Sequence, residues 1–193
     1  MKKTAKYLAL ALLCLNFRQN ATAQDNLTIQ PIRVGDKLPA SFWTQPHQIY
    51  HNGKTTTQTL EAYKGKLLIL DFWATWCSSC IVKFASTDSL QKIYGDRLAV
   101  ILVNAKNTSD TPERTAKTMK RFNDELITVT GDTILTKLFP HRVIPHYVWI
   151  QSGQLRSITG SELMTEQSIL ASMERREILD KKREQRLKKV GKK

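Results

Sequence analysis

Apolar residues in this chain fall into short, dense runs separated by polar segments that contain glycine or proline. The run Leu67-Leu68-Ile69-Leu70-Asp71-Phe72-Trp73 is nearly continuous, the pattern of a strand buried on both faces in the middle of an α/β sheet. A second such strand covers 98–103, and shorter ones are expected at 126–130, 147–150 and 155–159. Ser152-Gly153 makes a turn between the last two. Asn52-Gly53 is a hairpin turn signal with a Thr-rich strand-like stretch, 54–59, behind it. The preceding residues, 38–51, hold three aromatics and two prolines and read as an irregular, partly extended lead-in.

Helical signals fill the gaps. Residues 78–94 form a helix that stops at Gly95. Thr111-Pro112 opens another, with proline in the first turn, running to about 125. Asp132 caps a short helix that ends near Phe139-Pro140, and the chain reads as helical from 161 to its end. Strands alternating with helices and closing on a hairpin predict an α/β fold, a central mixed β-sheet flanked by helices on both faces.

Length allows one domain with a real core: 193 residues, 41% hydrophobic and 24% charged. The formal charge of +13 suggests a polyanion partner until it is mapped. Residues 1–23 contribute +4 and 174–193 contribute +6, so the body is close to balanced. No nucleic-acid partner is expected.

The front end is an address. Lys2, Lys3 and Lys6 precede an apolar run, 7–15, too short to span a bilayer, and Ala21-Thr22-Ala23 offers small residues for a signal peptidase. The pattern predicts a cleavable signal peptide, 1–23, and a domain at 24–172, exported to the periplasm or cell envelope. Lipidation at Cys14 fits poorly, because bulky Leu13 stands before it. A basic helical tail, 173–193, interleaves acids and bases, the mark of a solvated helix rather than a lipid-binding one, so tail–membrane contact is not the expectation.

Removing the signal leaves two cysteines, Cys77 and Cys80. One closely spaced pair is not a disulfide scaffold, and closing so short a loop removes little unfolded-state entropy. The pair sits just after a buried strand and at the start of a helix. There the first sulfur meets unpaired N–H groups that favour thiolate, and the second thiol is placed to attack a mixed disulfide. Cys77 is thus the candidate nucleophile and Cys80 the resolving thiol.

The run Asp71-Phe72-Trp73-Ala74-Thr75-Trp76-Cys77-Ser78-Ser79-Cys80, with Val143-Ile144-Pro145 farther on, resembles the active-site signature and cis-proline loop of the thioredoxin superfamily. The opening Val34-Gly35-Asp36-Lys37-Leu38-Pro39 and the extra helix near 111–125 make the chain most similar to exported TlpA/ResA-type thiol-disulfide oxidoreductases, over roughly 31–172. The resemblance implies a thioredoxin-like fold and disulfide chemistry, most simply reduction, on exported protein dithiols and disulfides, without metal or organic cofactor. It implies an electron donor such as a membrane thiol transporter. It makes Asp71 a buried proton acceptor for Cys80, and it places Trp76, Ile144 and Pro145 at the substrate groove. Two positions depart from the pattern: Lys83 stands where such proteins usually carry glutamate, and Ala85 replaces a helix-kinking proline. Lys83 is a candidate for tuning the couple, since a cation there favours thiolate.

Three rival readings carry less. A zinc site would need ligands beyond Cys77 and Cys80. His141 and His146 have ligand-like spacing, as do His47 and His51, but lie far away in sequence and no second Cys-x-x-Cys exists. Peroxiredoxin-type chemistry wants Thr or Ser three residues before the reacting cysteine, where Ala74 stands. A non-catalytic, exported thioredoxin-like binding domain with a merely structural disulfide is the third.

Overall fold

The computed structural model describes residues 29–122 and 125–190; the expected signal peptide lies outside them. Among these residues the elements run α1 Ala40–Thr44, β1 His47–His51, β2 Lys54–Gln58, β3 Leu67–Trp73, α2 Ser78–Ile81, α3 Phe84–Tyr94 and β4 Leu98–Ala105. They continue with α4 Pro112–Lys120, β5 Thr128–Asp132, α5 Leu135–Leu138, β6 His146–Gln151, β7 Gln154–Thr159 and α6 Glu166–Val190. The strands form one sheet in the order β2-β1-β5-β4-β3-β6-β7. β3, β4 and β5 are parallel, and the flanking pairs are antiparallel. This is the mixed sheet the sequence predicts.

Every residue of β3 and β4 is buried, as near-continuous apolar runs require. Alternation along β3 divides its side chains between two layers. Leu68, Leu70 and Phe72 join Phe42 of α1 and Leu135 and Leu138 of α5. Leu67 and Ile69 pack with Leu90 of α3 and with Ile169 and Met173 of α6. Trp73, on that second face, sits with Cys77, Cys80, Phe84 and Met119. Burying each large apolar side chain contributes about 1.5–3 kcal/mol, so the middle of the sheet is the rigid floor under the cysteines. Both hairpins turn where expected, on left-handed residues: Asn52 and Gly53 with φ of 50° and 75°, Ser152 and Gly153 with 54° and 70°.

Four segments differ from the sequence pattern. The lead-in at 38–51 is regular at both ends, because Pro39 starts α1, which buries Phe42 and Trp43, and β1 follows. The expected helix 78–94 breaks between α2 and α3 without a proline. At the break Lys83 N–H bonds to Cys80 O (3.0 Å), three residues back, and such tightening interrupts the regular ladder. α4 stops at Lys120, where Arg121 and Phe122 close back on Thr118 and Met119 at 3.1 and 2.9 Å. Phe122 then packs edge-on against Phe84 (5.2 Å). β5 lies two residues later than expected, passing through left-handed Gly131, while Leu126 is drawn into the cluster around the cysteines.

Packing continues past residue 172, where the sequence places the end of the domain. Met173 is 4% exposed, Arg176 Nη1 donates to Gly65 O, and Arg97 pairs with Glu177 at 2.9 Å. Beyond Glu177 the described tail residues are exposed. Among the described residues, no helix is long and apolar enough to cross a membrane.

Candidate functional site

β3 ends at Trp73, and the chain turns through 74–76 into α2. A backbone bond from Cys77 N–H to Ala74 O (3.0 Å) closes this turn. Cys77 is the N-cap of α2, and its sulfur accepts the Cys80 N–H at 3.2 Å. One helical turn separates the two cysteines, with a Cα–Cα distance of 5.3 Å, and they are joined as a disulfide. Cys77 is 5% exposed and Cys80 fully buried, so an incoming group meets Cys77 first. The Cys80 sulfur lies 3.9 Å from Phe72 O.

Asp71 is fully buried on β3, on the same strand face as Trp73, which packs with both cysteines. Tyr147 is its cross-strand neighbour on β6. Neither the carboxylate oxygens nor the Tyr147 hydroxyl reaches hydrogen-bond geometry with any described group. Desolvation therefore pushes the Asp71 carboxyl well above the usual carboxylate range, and the nearby phenol only partly opposes the rise. Burial and the Asp71 charge push the Tyr147 phenol upward as well. Such a carboxyl is poised as a neutral acid that ionises late.

The Ile144–Pro145 bond is cis. Ile144 packs against the cluster that holds Cys77 and Cys80. Beside them opens a hollow of about 390 Å³ lined by Trp76, Asn107, Thr108 and residues 141–144. Trp76 and Val143 stand at it 63% and 75% exposed. Lys83, between α2 and α3, is half-buried. Among the described residues no carboxylate pairs with its ammonium.

Two features at this site escaped sequence reasoning. His141 and His146 stack nearly parallel (15°) with ring centres 4.4 Å apart, and Phe72 packs against both. Stacked faces do not converge on a metal ion, whatever the spacing along the chain suggests. His141 Nδ1 bonds to Phe139 O (2.9 Å), whereas His146 Nε2 is buried without a partner among the described residues. Burial, aided by His141, lowers the His146 pKa to about 4. The second feature is Asp110, which follows β4. Its carboxylate accepts bonds from Thr75 N–H (2.8 Å), Thr75 Oγ1 (2.5 Å) and Asn104 Nδ2 (2.7 Å). Nothing in the local sequence around Asp110 points to a contact with residues 35 positions earlier.

The chain matches the Redoxin family over residues 33–136, more than half its length. It is 39% identical over 66 residues to a thioredoxin-like protein of Bacillus subtilis, a match covering 34% of this chain and 36% of the relative. The chain thus spans well under two thirds of that relative's length. Among solved structures it is similar to the thioredoxin domain of a thiol-disulfide oxidoreductase from Bacteroides vulgatus, with a TM-score of 0.56 at 15% identity over 75% of this chain and 97% of the other. It is also similar to an exposed lipoprotein thioredoxin of Streptococcus pneumoniae, with a TM-score of 0.56 at 24% identity over 67% and 98%. These likenesses establish a thioredoxin-like fold.

Proposed function

The chain belongs to the Redoxin family, within the thioredoxin superfamily, and from that premise we propose that it is an exported thiol-disulfide oxidoreductase that reduces disulfides in other exported proteins through Cys77 and Cys80. One observation carries the proposal: a cysteine that caps a helix and keeps a sliver of exposure, bonded to a fully buried second cysteine, near a groove of mixed polar and apolar lining at the cis-proline loop. In the reduced protein the Cys77 thiolate attacks one sulfur of the substrate disulfide. A mixed disulfide forms, and the other substrate sulfur leaves as a thiolate that takes a proton from water. Cys80 then gives its proton to the ionised form of Asp71 and attacks the Cys77 sulfur, and the second substrate sulfur leaves as a thiolate that takes a proton from water. Two electrons have passed to the substrate, and the Cys77–Cys80 disulfide remains until an external dithiol donor reduces it.

Trp76, Ile144 and Pro145 hold the substrate chain, and the Lys83 cation favours the Cys77 thiolate. The leader-like residues 1–23 and the exposed lipoprotein thioredoxin among the structural relatives support export. Ala74 offers no hydroxyl three residues before Cys77, which disfavours peroxidase chemistry.

The test is trapping. Reduced Cys80→Ser, mixed with a disulfide-bonded protein such as insulin, is expected to accumulate a mixed disulfide on Cys77, whereas Cys77→Ser accumulates none. Adducts on Cys80 instead would reverse the assignment. A wild-type disulfide that resists dithiothreitol and forms no adduct in either variant would make the bridge structural.

A further inference from the structure

The groove beside Cys77 is built by three separate loops. Trp76 comes from the turn before α2, Asn107 and Thr108 from the loop after β4, and His141 to Ile144 from the cis-proline loop. Separate loops on a common scaffold drift apart unless something fastens them. Two fasteners join the first to the second. Trp76 Nε1 donates to Thr108 O at 3.1 Å, and Asp110 binds both the backbone and the side chain of Thr75.

Asp110 is the stronger of the two. Bonds to an ionised carboxylate are shorter and roughly twice as strong as neutral ones, and this carboxylate accepts three. Its third donor, Asn104, sits in β4 and also reaches Trp73 O (3.4 Å), so the clamp is anchored in the rigid middle of the sheet. Left-handed Ser109 (φ 62°) turns the loop just before it. Among the described residues no cation pairs with Asp110. Its carboxylate is held instead by these three donors, against a residue two positions before Cys77.

We propose that Asp110 is a positioning residue of the redox site: it fastens the turn carrying Cys77 to the β4–α4 loop, fixes the spacing of two groove walls, and holds back thiolate formation at Cys77. The inference rests on the thiol-disulfide reading above, and it assigns Asp110 no contact with the reacting atoms. Two consequences separate it from a merely structural role. Loosening the walls weakens substrate docking more than it slows sulfur exchange. Neutralising the charge without loosening the walls shifts the cysteine.

The experiment compares Asp110→Ala, Asp110→Asn and Thr75→Val with wild type in two assays. The first is turnover of a disulfide-bonded polypeptide. The second is the pH profile of Cys77 alkylation by iodoacetamide in the Cys80→Ser background, which needs no substrate. Asp110→Ala is expected to raise KM about tenfold, equivalent to about 1.4 kcal/mol, with kcat changing less than about threefold. Asp110→Asn, which still accepts the Thr75 N–H, is expected to hold KM near wild type while its alkylation profile moves to lower pH. Thr75→Val loses one bond and is expected to fall between wild type and alanine in KM; if alanine fails to fold, valine and asparagine decide. Unchanged KM and an unmoved alkylation profile, with only a lower Tm, would overturn the proposal. If wild-type protein reduces no disulfide, the functional reading fails, and the alkylation profiles still decide whether Asp110 governs Cys77.

Discussion

A carboxyl group sealed inside a sheet is tolerated mainly as the neutral acid, and Asp71 is so sealed, with both oxygens unpartnered among the described residues. Its pKa is raised in the folded protein by desolvation. Between the unfolded value near 3.8 and the raised folded value, the folded state keeps a proton that the unfolded state has lost. Stability from this group is therefore fully present at low pH and falls as pH climbs through that window, levelling off above the folded pKa. Asp71→Asn removes the titration while keeping the shape. Urea unfolding of the oxidised proteins is expected to give similar stabilities at pH 4. At pH 8 the variant is expected to be the more stable of the two, because it carries no charge that burial would strip of water. The same variant slows release of the mixed disulfide if Asp71 takes the Cys80 proton. Equal stabilities at pH 8 would mean that the carboxyl is solvated in solution.

Elements with long apolar runs were legible in sequence because burial on both faces leaves no other pattern: β3 begins and ends where Leu67 to Trp73 does, and β4 only extends its run to Ala105. Turn chemistry at Asn52-Gly53 and Ser152-Gly153 was legible for the same local reason. What the pattern missed depends on distant contacts: the closing turn that lets Phe122 meet Phe84, the clamp from Asp110 to Thr75, and the histidine stack on Phe72. The cis-proline loop makes the point testable. His146 is held neutral, with its pKa lowered from 6.5 to about 4 by burial and by His141. The unfolded chain binds the proton first, so stability is lost as pH falls from about 6.5 toward 4. The full span corresponds to about 3 kcal/mol, reduced by solvent screening at a half-buried ring. His146→Phe, which keeps an aromatic face toward His141 and Phe72, is expected to lose less stability than wild type between pH 7 and 4.5. Parallel curves for the two proteins, or an imidazole resonance titrating near 6.5 by NMR, would place the ring in water instead.

At the scale of the whole molecule, charge and packing part company along α6. The basic end looks like an appendage in composition, yet its first turns belong to the core. Met173 fills the layer under Leu67 and Tyr147, Arg176 bonds to Gly65 and Glu177 to Arg97. Farther on, the link from Arg176 to Asp180 (3.3 Å) is an exposed pair one helical turn apart, worth only about 0.3–0.5 kcal/mol. Two truncations therefore have different expected outcomes. Ending the chain at Ile178 removes solvated helix and one weak pair, so Tm should move by no more than about 2 °C and disulfide turnover should be unchanged. Ending it at Ser172 deletes a buried methionine, which costs about 2–5 kcal/mol where such a side chain is merely cut to alanine. It removes the Gly65 and Arg97 contacts as well, and Tm should fall by about 10 °C or more. Thermal scans of both truncations at one protein concentration check this. A large drop already in the chain that ends at Ile178 would mean that residues beyond 178 carry a packing contact of their own.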